Sequence, residues 1–316
     1  PVMIKSKSYL LENDNGKFKD ITSQNAPELE KIGMVTNAIF SDYDNDSDLD
    51  LIITGEWMTP TVFINNEAKF ISKPLSVDAP EGWWYSITSA DFNNDGLPDY
   101  FLGNLGTNNK FNVNKNKPLH LFADDFDENG IIDIVLAHEQ KGEILPLRGR
   151  ECSSQQMPFI KDKFPDFQSF SEANLDSIYT SEKLNAALHY SVKNFSSVLL
   201  INEGNGSFRK VKLPEVVQYG PVLCIKTIDI NLDGHLDIIG AGNIYETEPE
   251  TVKYDGSKGF VLLNNKEGGF IEAKNHQFLT KGNVKSLEML KMPKKTLMLV
   301  LQNKGPIAIF EMNNLK

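Results

Sequence analysis

Four short acidic segments constrain the fold of this 316-residue chain more than any other feature of its sequence. Each segment is nine residues long and fits the pattern D-x-[DN]-x-[DN]-[GS]-x-x-D. The four copies are residues 42–50 (DYDNDSDLD), 91–99 (DFNNDGLPD), 125–133 (DFDENGIID) and 229–237 (DINLDGHLD). Asp, Asn and Gly also populate ordinary turns, but four copies in one chain indicate a repeated functional loop. We call them the first to fourth acidic loops and number their positions one to nine.

The spacing within each loop suits a hard metal cation. When the loop curls, positions one, three and five turn side-chain oxygens toward one point, position seven offers a backbone carbonyl, and position nine adds a carboxylate. Position six must bend sharply and favours Gly, so Ser47 in the first loop should cost about 1 kcal/mol in a left-handed backbone.

Oxygen ligands in a flexible loop suit Ca²⁺ better than Mg²⁺ or a soft metal, and we expect up to four Ca²⁺ ions. The predicted ligands are Asp42, Asp44, Asp46, Asp48 and Asp50; Asp91, Asn93, Asp95, Leu97 and Asp99; Asp125, Asp127, Asn129, Ile131 and Asp133; and Asp229, Asn231, Asp233, His235 and Asp237.

The loops are not EF-hands, although their first positions resemble one. An EF-hand requires Glu at position twelve and a helix on each side. Position twelve is apolar or Gly in all four copies, namely Ile53, Leu102, Leu136 and Gly240. The flanking segments are β-branched and apolar, as in residues 38–40 and 51–53, and so predict strands.

The charge of the chain points to the same loops. The net charge of −11 argues against non-specific nucleic-acid binding, which needs a basic surface. The loops hold fourteen Asp, and without those charges −11 becomes +3. Packed carboxylates repel one another without a cation, so the loops should be unstable when no metal is bound.

The arrangement of the loops predicts an all-β fold of the β-propeller class, with blades of four antiparallel strands. A second hairpin with an Asn- and Gly-rich turn usually follows each loop, as at 62–70, 198–211 and 260–271. We count about five blades plus a half over residues 1–316. Residues 152–190 break this pattern and predict a short helical insertion, placed between the second and third strands of the blade that carries the third loop.

The loops resemble the FG-GAP/VCBS repeats of integrin-like β-propellers. The chain is also similar to bacterial (Bacteroidetes) relatives of the cartilage acidic protein and ASPIC/UnbV group. The motifs that carry this resemblance are residues 91–96 followed by 103–106, 156–159 with 163–165, and 242–243 with 254–259. The resemblance implies a secreted or surface-exposed protein, often with domains beyond this segment, and it implies no firm activity.

A partner-binding surface is expected on the face opposite the acidic loops. In an up-and-down blade, the connections between second and third strands and those between blades lie on that face. The long, aromatic-bearing loops at 55–59, 81–85, 104–112 and 243–258 all fall there, and such loops on a rigid scaffold commonly bind ligands. Aromatic faces with polar neighbours suit a glycan or a protein partner, whereas the competing explanation is packing within the blades. The candidate residues are Trp57, Trp83, Trp84, Arg148, Arg150, Tyr245 and Tyr254.

Two other functions stay open at this stage. One is a calcium-dependent enzyme, a lyase or hydrolase that degrades polysaccharides. No compact motif joins an acid to a base, however, and the five histidines are scattered without ligand spacing. We therefore favour a protein that is not an enzyme and assign no catalytic residue. The other is a structural scaffold within a longer surface protein.

The remaining features bear on location. No apolar segment approaches the roughly 18 residues that could span a bilayer, so no direct membrane insertion is expected. Loops of this kind often bind Ca²⁺ at about 10⁻⁴–10⁻³ M, which suits an extracellular, cell-surface or periplasmic setting. Cys152 and Cys224 form no disulfide framework and no metal motif; two buried thiols or a single bridge both fit the sequence.

Overall fold

The computed structural model describes residues 7–247, 251–274 and 276–312, and it divides into two compact units. One unit comprises residues 111–194, and the other contains the described residues before and after that stretch. Residues 1–6 and 313–316 of the predicted domain, and 248–250 of a predicted surface loop, lie outside the described residues. The protein is all-β, with several antiparallel four-stranded sheets and few helices.

The larger unit begins with an exposed hairpin and a complete sheet. The hairpin is formed by β1 (Leu11–Asp14) and β2 (Lys17–Asp20), followed by helix α1 (Thr22–Asn25) and a 3₁₀ turn, Pro27–Leu29. The sheet runs in the order β3-β4-β5-β6, with β7 paired to β4. Its strands are β3 (Met34–Ser41), β4 (Asp50–Met58), β5 (Thr61–Asn66), β6 (Lys69–Pro74) and β7 (Gly82–Trp83). The first acidic loop therefore joins the first two strands of this sheet.

The second sheet is assembled from two distant parts of the sequence. Its first two strands are β8 (Ser86–Ala90) and β9 (Asp99–Gly103), and its last two are β14 (Val198–Asn202) and β15 (Phe208–Val211). The order is β15-β14-β9-β8, so β14 pairs with β9 across the whole of residues 111–194. The hairpin at 198–211 thus completes the sheet of the second acidic loop, not that of the third. This corrects the predicted position of the insertion.

The smaller unit, residues 111–194, interrupts the second sheet and contains its own sheet as well as the helices. The helices lie between the third and fourth strands of this sheet along the chain, not between the second and third as predicted. The sheet has the order β12-β11-β10-β13, and the third acidic loop joins its first two strands along the chain. Its strands are β10 (Leu119–Asp124), β11 (Asp133–Gln140), β12 (Glu143–Pro146) and β13 (Leu188–Val192). Five short helices between β12 and β13 occupy most of the predicted 152–190 segment. They are α2 (Arg150–Gln156), α3 (Phe159–Lys163), α4 (Phe167–Ser171), α5 (Leu175–Tyr179) and α6 (Ser181–Ala186).

Two further sheets complete the larger unit. A 3₁₀ turn, Glu215–Gln218, leads into the sheet β16-β17-β18-β19, whose first two strands are joined by the fourth acidic loop. Its strands are β16 (Val222–Ile228), β17 (Asp237–Gly242), β18 (Phe260–Asn264) and β19 (Phe270–Glu272). The last sheet has three described strands and no acidic loop: β20 (Asn283–Met292), β21 (Lys295–Asn303) and β22 (Ala308–Met312).

Burial explains which strands carry continuous apolar runs. β9 and β14 lie in the middle of their sheet and are buried at every residue, because both of their faces pack against other sheets or loops. The first two acidic loops thus lead directly into strands that are buried along all or nearly all of their length. No helix among the described residues is long and apolar enough to cross a membrane.

The cysteines do not pair with each other. Cys224 is buried on β16, and Cys152 is partly buried on α2 in the other unit, and neither is in a disulfide. Burial raises the pKa of the Cys224 thiol to about 12, so this side chain behaves as an apolar core residue.

Candidate functional site

Each acidic loop connects two neighbouring antiparallel strands. Position nine is the first residue of the second strand in all four cases, and its side chain is buried. These residues are Asp50, Asp99, Asp133 and Asp237. No helix borders an acidic loop in the part of the chain that the structure describes, as predicted when the EF-hand was rejected.

The carboxylate at position one organises the turn. The backbone amides of positions five and six donate to its two oxygens in every loop, at 2.7–3.1 Å. The amide of position seven donates to the side-chain oxygen of position five, at 2.8–3.0 Å. These repeated bonds fold each loop around its own oxygens, because hydrogen bonds to charged acceptors are among the stronger ones.

The backbone of each loop is left-handed at two positions. Position six has φ of 76° at Ser47 and 86–87° at the three glycines, which confirms the prediction of positive φ. Position four is also left-handed, with φ of 59–63°, and the sequence pattern did not reveal this. Asn occupies that position in two loops, but Glu128 and Leu232 occupy it in the others, so no residue preference marked it.

The closing carboxylate at position nine is held from two sides. Its Oδ2 accepts from the backbone amide of position two, at 2.8–3.1 Å. In the larger unit, its Oδ1 accepts at 2.8 Å from the backbone N–H of an asparagine on the third strand of the same sheet. Those asparagines are Asn65, Asn202 and Asn264. In the third loop, Gln156 on α2 replaces this contact with its side-chain Nε2, at 3.0 Å from Asp133 Oδ1.

The third-strand asparagines were missed as site residues. Each side-chain amide also donates to the carbonyl of position eight of its loop, at 3.2–3.3 Å. The sequence signal is an Ile or Leu followed by Asn, which recurs at 64–65, 201–202 and 263–264. The predicted ligand set does not include these asparagines, yet each one connects the third strand of its sheet to the acidic loop.

The first and third loops hold three carboxylates close together. One oxygen from each of Asp42, Asp44 and Asp50 lies within 4.8 Å of the others. Asp125, Asp127 and Asp133 form an equivalent cluster with the same limit.

Two oxygens near these clusters have no hydrogen-bond partner although they are buried. They are Asp48 Oδ1 and Asp127 Oδ1. A buried carboxylate oxygen without a donor is costly, and a cation bound by the cluster would satisfy it. The donor set is all oxygen, so the residues present fit Ca²⁺.

The second and fourth loops have an amide in place of the second carboxylate. Asn93 Nδ2 donates to Asp95 Oδ2 at 2.8 Å, and Asn231 Nδ2 donates to Asp233 Oδ2 at 3.0 Å. These bonds reduce repulsion within the two loops and leave the amide oxygens as neutral ligands. The proposed carbonyl ligands at position seven, Leu97, Ile131 and His235, stay predictions.

Burial and crowding determine the electrostatics of the loops. Burial raises the pKa of Asp99 to about 6, and it also raises the pKa values of Asp50, Asp133 and Asp237. The pKa of Asp48 is raised by burial and by the negative charges of its neighbours in the loop. A bound cation would offset this repulsion.

Three of the predicted partner-binding aromatics belong to the core. Trp84 has no exposed surface and its indole N–H donates to Pro80 O at 3.1 Å. Trp57 is 6% exposed and Tyr254 is 8% exposed. This corrects the expectation that these three side chains lie on an open surface, since large apolar rings at the ends of the strands pack inward when space is available.

The other predicted partner-binding residues keep some exposure. Trp83 is partly exposed and packs edge-on against Trp57, with ring centroids 5.3 Å apart. Tyr245 is 36% exposed, and its hydroxyl accepts from the Gly282 amide at 3.0 Å. A ligand role for Trp83 and Tyr245 stays a prediction.

The two arginines have structural partners within the smaller unit. Arg150 donates from Nε to Phe164 O at 2.6 Å and from Nη2 to Pro165 O at 3.1 Å. Arg148 Nη1 donates to Gln156 Oε1 at 3.3 Å. Both guanidinium groups therefore stabilise the helices, and a ligand role for them stays a prediction.

Comparison with known proteins identifies the repeat. Residues 42–102 match the family model of the FG-GAP-like repeat, from the start of the first acidic loop to β9, the strand that directly follows the second loop. The chain therefore contains an FG-GAP-like repeat, as the resemblance implied; the narrower relation to the cartilage acidic protein and ASPIC/UnbV group stays a prediction.

The other comparisons are less informative. The curated proteins give no match. Among solved structures, the chain is similar to an Agrocybe aegerita lectin described by its recognition of non-reducing terminal N-acetylglucosamine. The identity is 15%, the alignment covers 91% of this chain and 83% of the lectin, and the TM-score is 0.21. A similarity of that size supports no conclusion about fold or ligand.

Proposed function

We propose that this chain is a calcium-binding recognition module of β-propeller blades, which binds a glycan or protein partner outside the cytoplasm. One observation carries the calcium part of the proposal: the same hydrogen-bond frame recurs in four loops and directs carboxylate and amide oxygens toward one another. Two of those loops hold three clustered carboxylates each. Internal hydrogen bonds alone do not account for two buried oxygens that have no donor.

The propeller arrangement is supported by the larger unit. Its first strands β3, β8, β16 and β20 contact one another in sequence order, which is the relation of inner strands in successive blades. The FG-GAP-like repeat is a blade-forming repeat in the resemblance described above. A crystal structure with calcium tests this part, and inner strands that do not surround a common axis would contradict it.

In this proposal the residues of the chain position the metal, and the metal supplies charge. The ligands would be the side chains at positions one, three, five and nine together with position seven, which offers its backbone carbonyl. Bound Ca²⁺ would neutralise clustered carboxylates and hold the loops rigid beside the strand ends. Sites with the affinity expected of such loops, about 10⁻⁴–10⁻³ M, are filled at the calcium concentrations outside cells and stay empty at those of the cytosol. On this ground we propose a secreted or surface location.

Calorimetric titration of chelator-treated protein with CaCl₂ and with MgCl₂ tests the metal. We expect up to four sites that prefer Ca²⁺, and Asp42→Asn and Asp125→Asn should each remove one site. Protein that takes up no Ca²⁺ at 10 mM (a concentration about tenfold above the weakest expected affinity) would refute the calcium part.

The recognition part needs a separate measurement. Calcium-loaded protein would be screened for binding to glycans and proteins and for turnover of polysaccharides. Binding without turnover supports recognition, turnover indicates an enzyme, and neither indicates a scaffold.

A further inference from the structure

The smaller unit contains an open cleft of about 340 Å³ beside the third acidic loop. Positions two to four of that loop, Phe126, Asp127 and Glu128, form one wall. Helices α3, α5 and α6 form the other, through residues that include Phe159, Lys163, Thr180 and Lys183. A volume of this size is at the lower end of ligand sites, which are about 300–1,000 Å³.

The walls of the cleft are fastened to each other. Lys183 Nζ donates to Phe126 O at 2.8 Å and to Glu128 Oε1 at 2.9 Å. The ring of Tyr179 packs against that of Phe126 with centroids 4.8 Å apart. The cleft is therefore present before a ligand arrives, and the acidic loop determines the position of one wall.

The lining offers donors, acceptors and one accessible ring. Lys163 is exposed and uses one N–H, to Ile178 O at 3.1 Å, so its ammonium group has further donors. The Glu128 side chain is 80% exposed, so its carboxylate can accept more hydrogen bonds. The half-buried ring of Phe159 lies among these polar groups.

The charges in the cleft select against an ionic ligand. Lys163, Lys183 and a Ca²⁺ ion in the third loop together carry four positive charges. These balance the four carboxylates of the loop, Asp125, Asp127, Glu128 and Asp133, so the calcium-loaded cleft and loop are close to neutral. Hydroxyl groups both donate and accept, and the C–H face of a sugar ring packs against an aromatic side chain. The chemistry therefore favours an uncharged, hydroxyl-rich ligand of one or two sugar units.

The backbone at the rim of the cleft is strained. Thr180 has φ of 69° and ψ of 144°, a region that β-branched residues rarely adopt. Such strain often accompanies ligand sites, where the surrounding structure maintains it. Thr180 is exposed at the cleft, so its hydroxyl is available to a ligand as well as to the cap of α6.

We propose that this cleft is a binding site for a neutral glycan, held between the third acidic loop and helices α3, α5 and α6. The proposal rests on the recognition function proposed above and assigns it a place and a ligand class. Calcium in the third loop would favour binding, because the loop carries one wall of the cleft.

The test uses the full chain with calcium on an array of neutral oligosaccharides, acidic oligosaccharides and peptides, followed by calorimetry with the strongest neutral oligosaccharide. Lys163→Gln and Glu128→Gln should each weaken that binding at least tenfold. Lys161→Gln is the matched control, because Lys161 is on the same helix, pairs with Glu151 at 3.2 Å and does not line the cleft. The control should bind like the parent.

The outcomes separate the two proposals. Calcium uptake without binding to any neutral oligosaccharide overturns the cleft proposal and leaves the metal sites standing. Binding only to acidic oligosaccharides or only to peptides overturns the ligand class, and equal binding by Lys163→Gln and the parent overturns the location. Neutral-glycan binding that depends on Lys163 and Glu128 but persists in chelator supports the cleft and contradicts the role of calcium there.

Discussion

The side-chain amide of Asn264 donates to the backbone carbonyl of Phe92 at 2.7 Å, although the two residues are 172 positions apart. The backbone N–H of Asn264 donates to Asp237 of the fourth acidic loop at 2.8 Å, and that of Phe92 donates to Asp99 of the second at 2.8 Å. Asn264 thus bonds directly to the closing carboxylate of the fourth loop, and it is linked through the backbone of Phe92 to the closing carboxylate of the second loop. Asn94 adds a second link, with its Nδ2 donating to Gly234 O at 3.3 Å.

This connection predicts that the second and fourth loops bind metal cooperatively. Asp229→Asn disables the fourth loop and should weaken calcium binding in the second loop about fivefold. That factor corresponds to a coupling free energy of about 1 kcal/mol, near the lower limit for coupled sites. The amides of Gly96 and Gly234 each donate to a position-one carboxylate, so their NMR shifts report the two loops separately. The Ser47 amide reports the first loop and should titrate as in the parent.

The asparagine can be tested directly. Asn264→Ala should remove most of the coupling. Asn65→Ala should not, because the Asn65 side chain donates to Leu49 O of the first acidic loop, the loop of its own sheet. An unchanged affinity of the second loop in Asp229→Asn would show that the hydrogen bonds carry no coupling.

A second prediction concerns Gln156, which ties helix α2 to the third loop. Gln156→Ala leaves Asp133 Oδ1 without its donor, and a hydrogen bond to a charged group contributes about 1.5–3 kcal/mol. The helices at 150–186 should then exchange amide hydrogens faster, and calcium should slow that exchange less than in the parent. Hydrogen–deuterium exchange with and without calcium measures both effects.

Gln168→Ala is the control for this variant. Gln168 also lies on a helix of the insertion, but its side chain is exposed and bonds only to Glu172, at 3.2 Å. Equal exchange in the two variants would argue that Gln156 does not connect the loop to the helices.

The acidic loops could be predicted from the sequence because their structure is local. Position one bonds to amides four and five residues later, so spacing alone encodes the turn. The pairing of β14 with β9 is different, because a hairpin with apolar residues fits either of two sheets and the entropy of closing a long loop grows slowly with its length. No local signal therefore revealed that residues 111–194 interrupt the second sheet.

The aromatic residues show a similar limit. Trp84 and Tyr245 are equally plausible as surface residues in the sequence, yet one is fully buried and the other is 36% exposed. Burial depends on which loops pack over a strand end, and that is a property of the tertiary structure. Asn202 was overlooked for the same reason, since its bond to Asp99 joins residues 103 positions apart.

The left-handed backbone at Ser47 gives a third prediction. Ser47→Gly should raise the free energy of unfolding by about 1 kcal/mol, because only the side chain opposes φ of 76° there. Gly96→Ser is the reciprocal control in the second loop; its Cβ would meet no atom within 4 Å, so its cost is confined to the backbone. Urea denaturation in calcium measures both, and a destabilised Ser47→Gly would contradict the assignment of strain.

The last prediction concerns pH and the histidine pair of the smaller unit. His120 Nδ1 and His189 Nε2 are 2.9 Å apart, and His120 is 8% exposed. Burial lowers the pKa of His120 to about 4, with smaller effects from His189 and Lys193, and burial also lowers the pKa of His189. An unfolded histidine has a pKa of about 6.5, so the unfolded chain takes up protons first as the pH falls. The stability contributed by the pair is complete above pH about 6.5 and declines toward pH 4.

Urea denaturation between pH 7.5 and 4.5 tests this in the parent and in His120→Gln. Relative to the variant, the parent should lose stability progressively below pH 6.5, because only the parent must keep His120 neutral in the folded state. His138→Gln, in the same sheet, should follow the parent, since His138 lies outside the pair. A constant difference between parent and His120→Gln over this range would show that His120 titrates alike in both states and would contradict the burial argument.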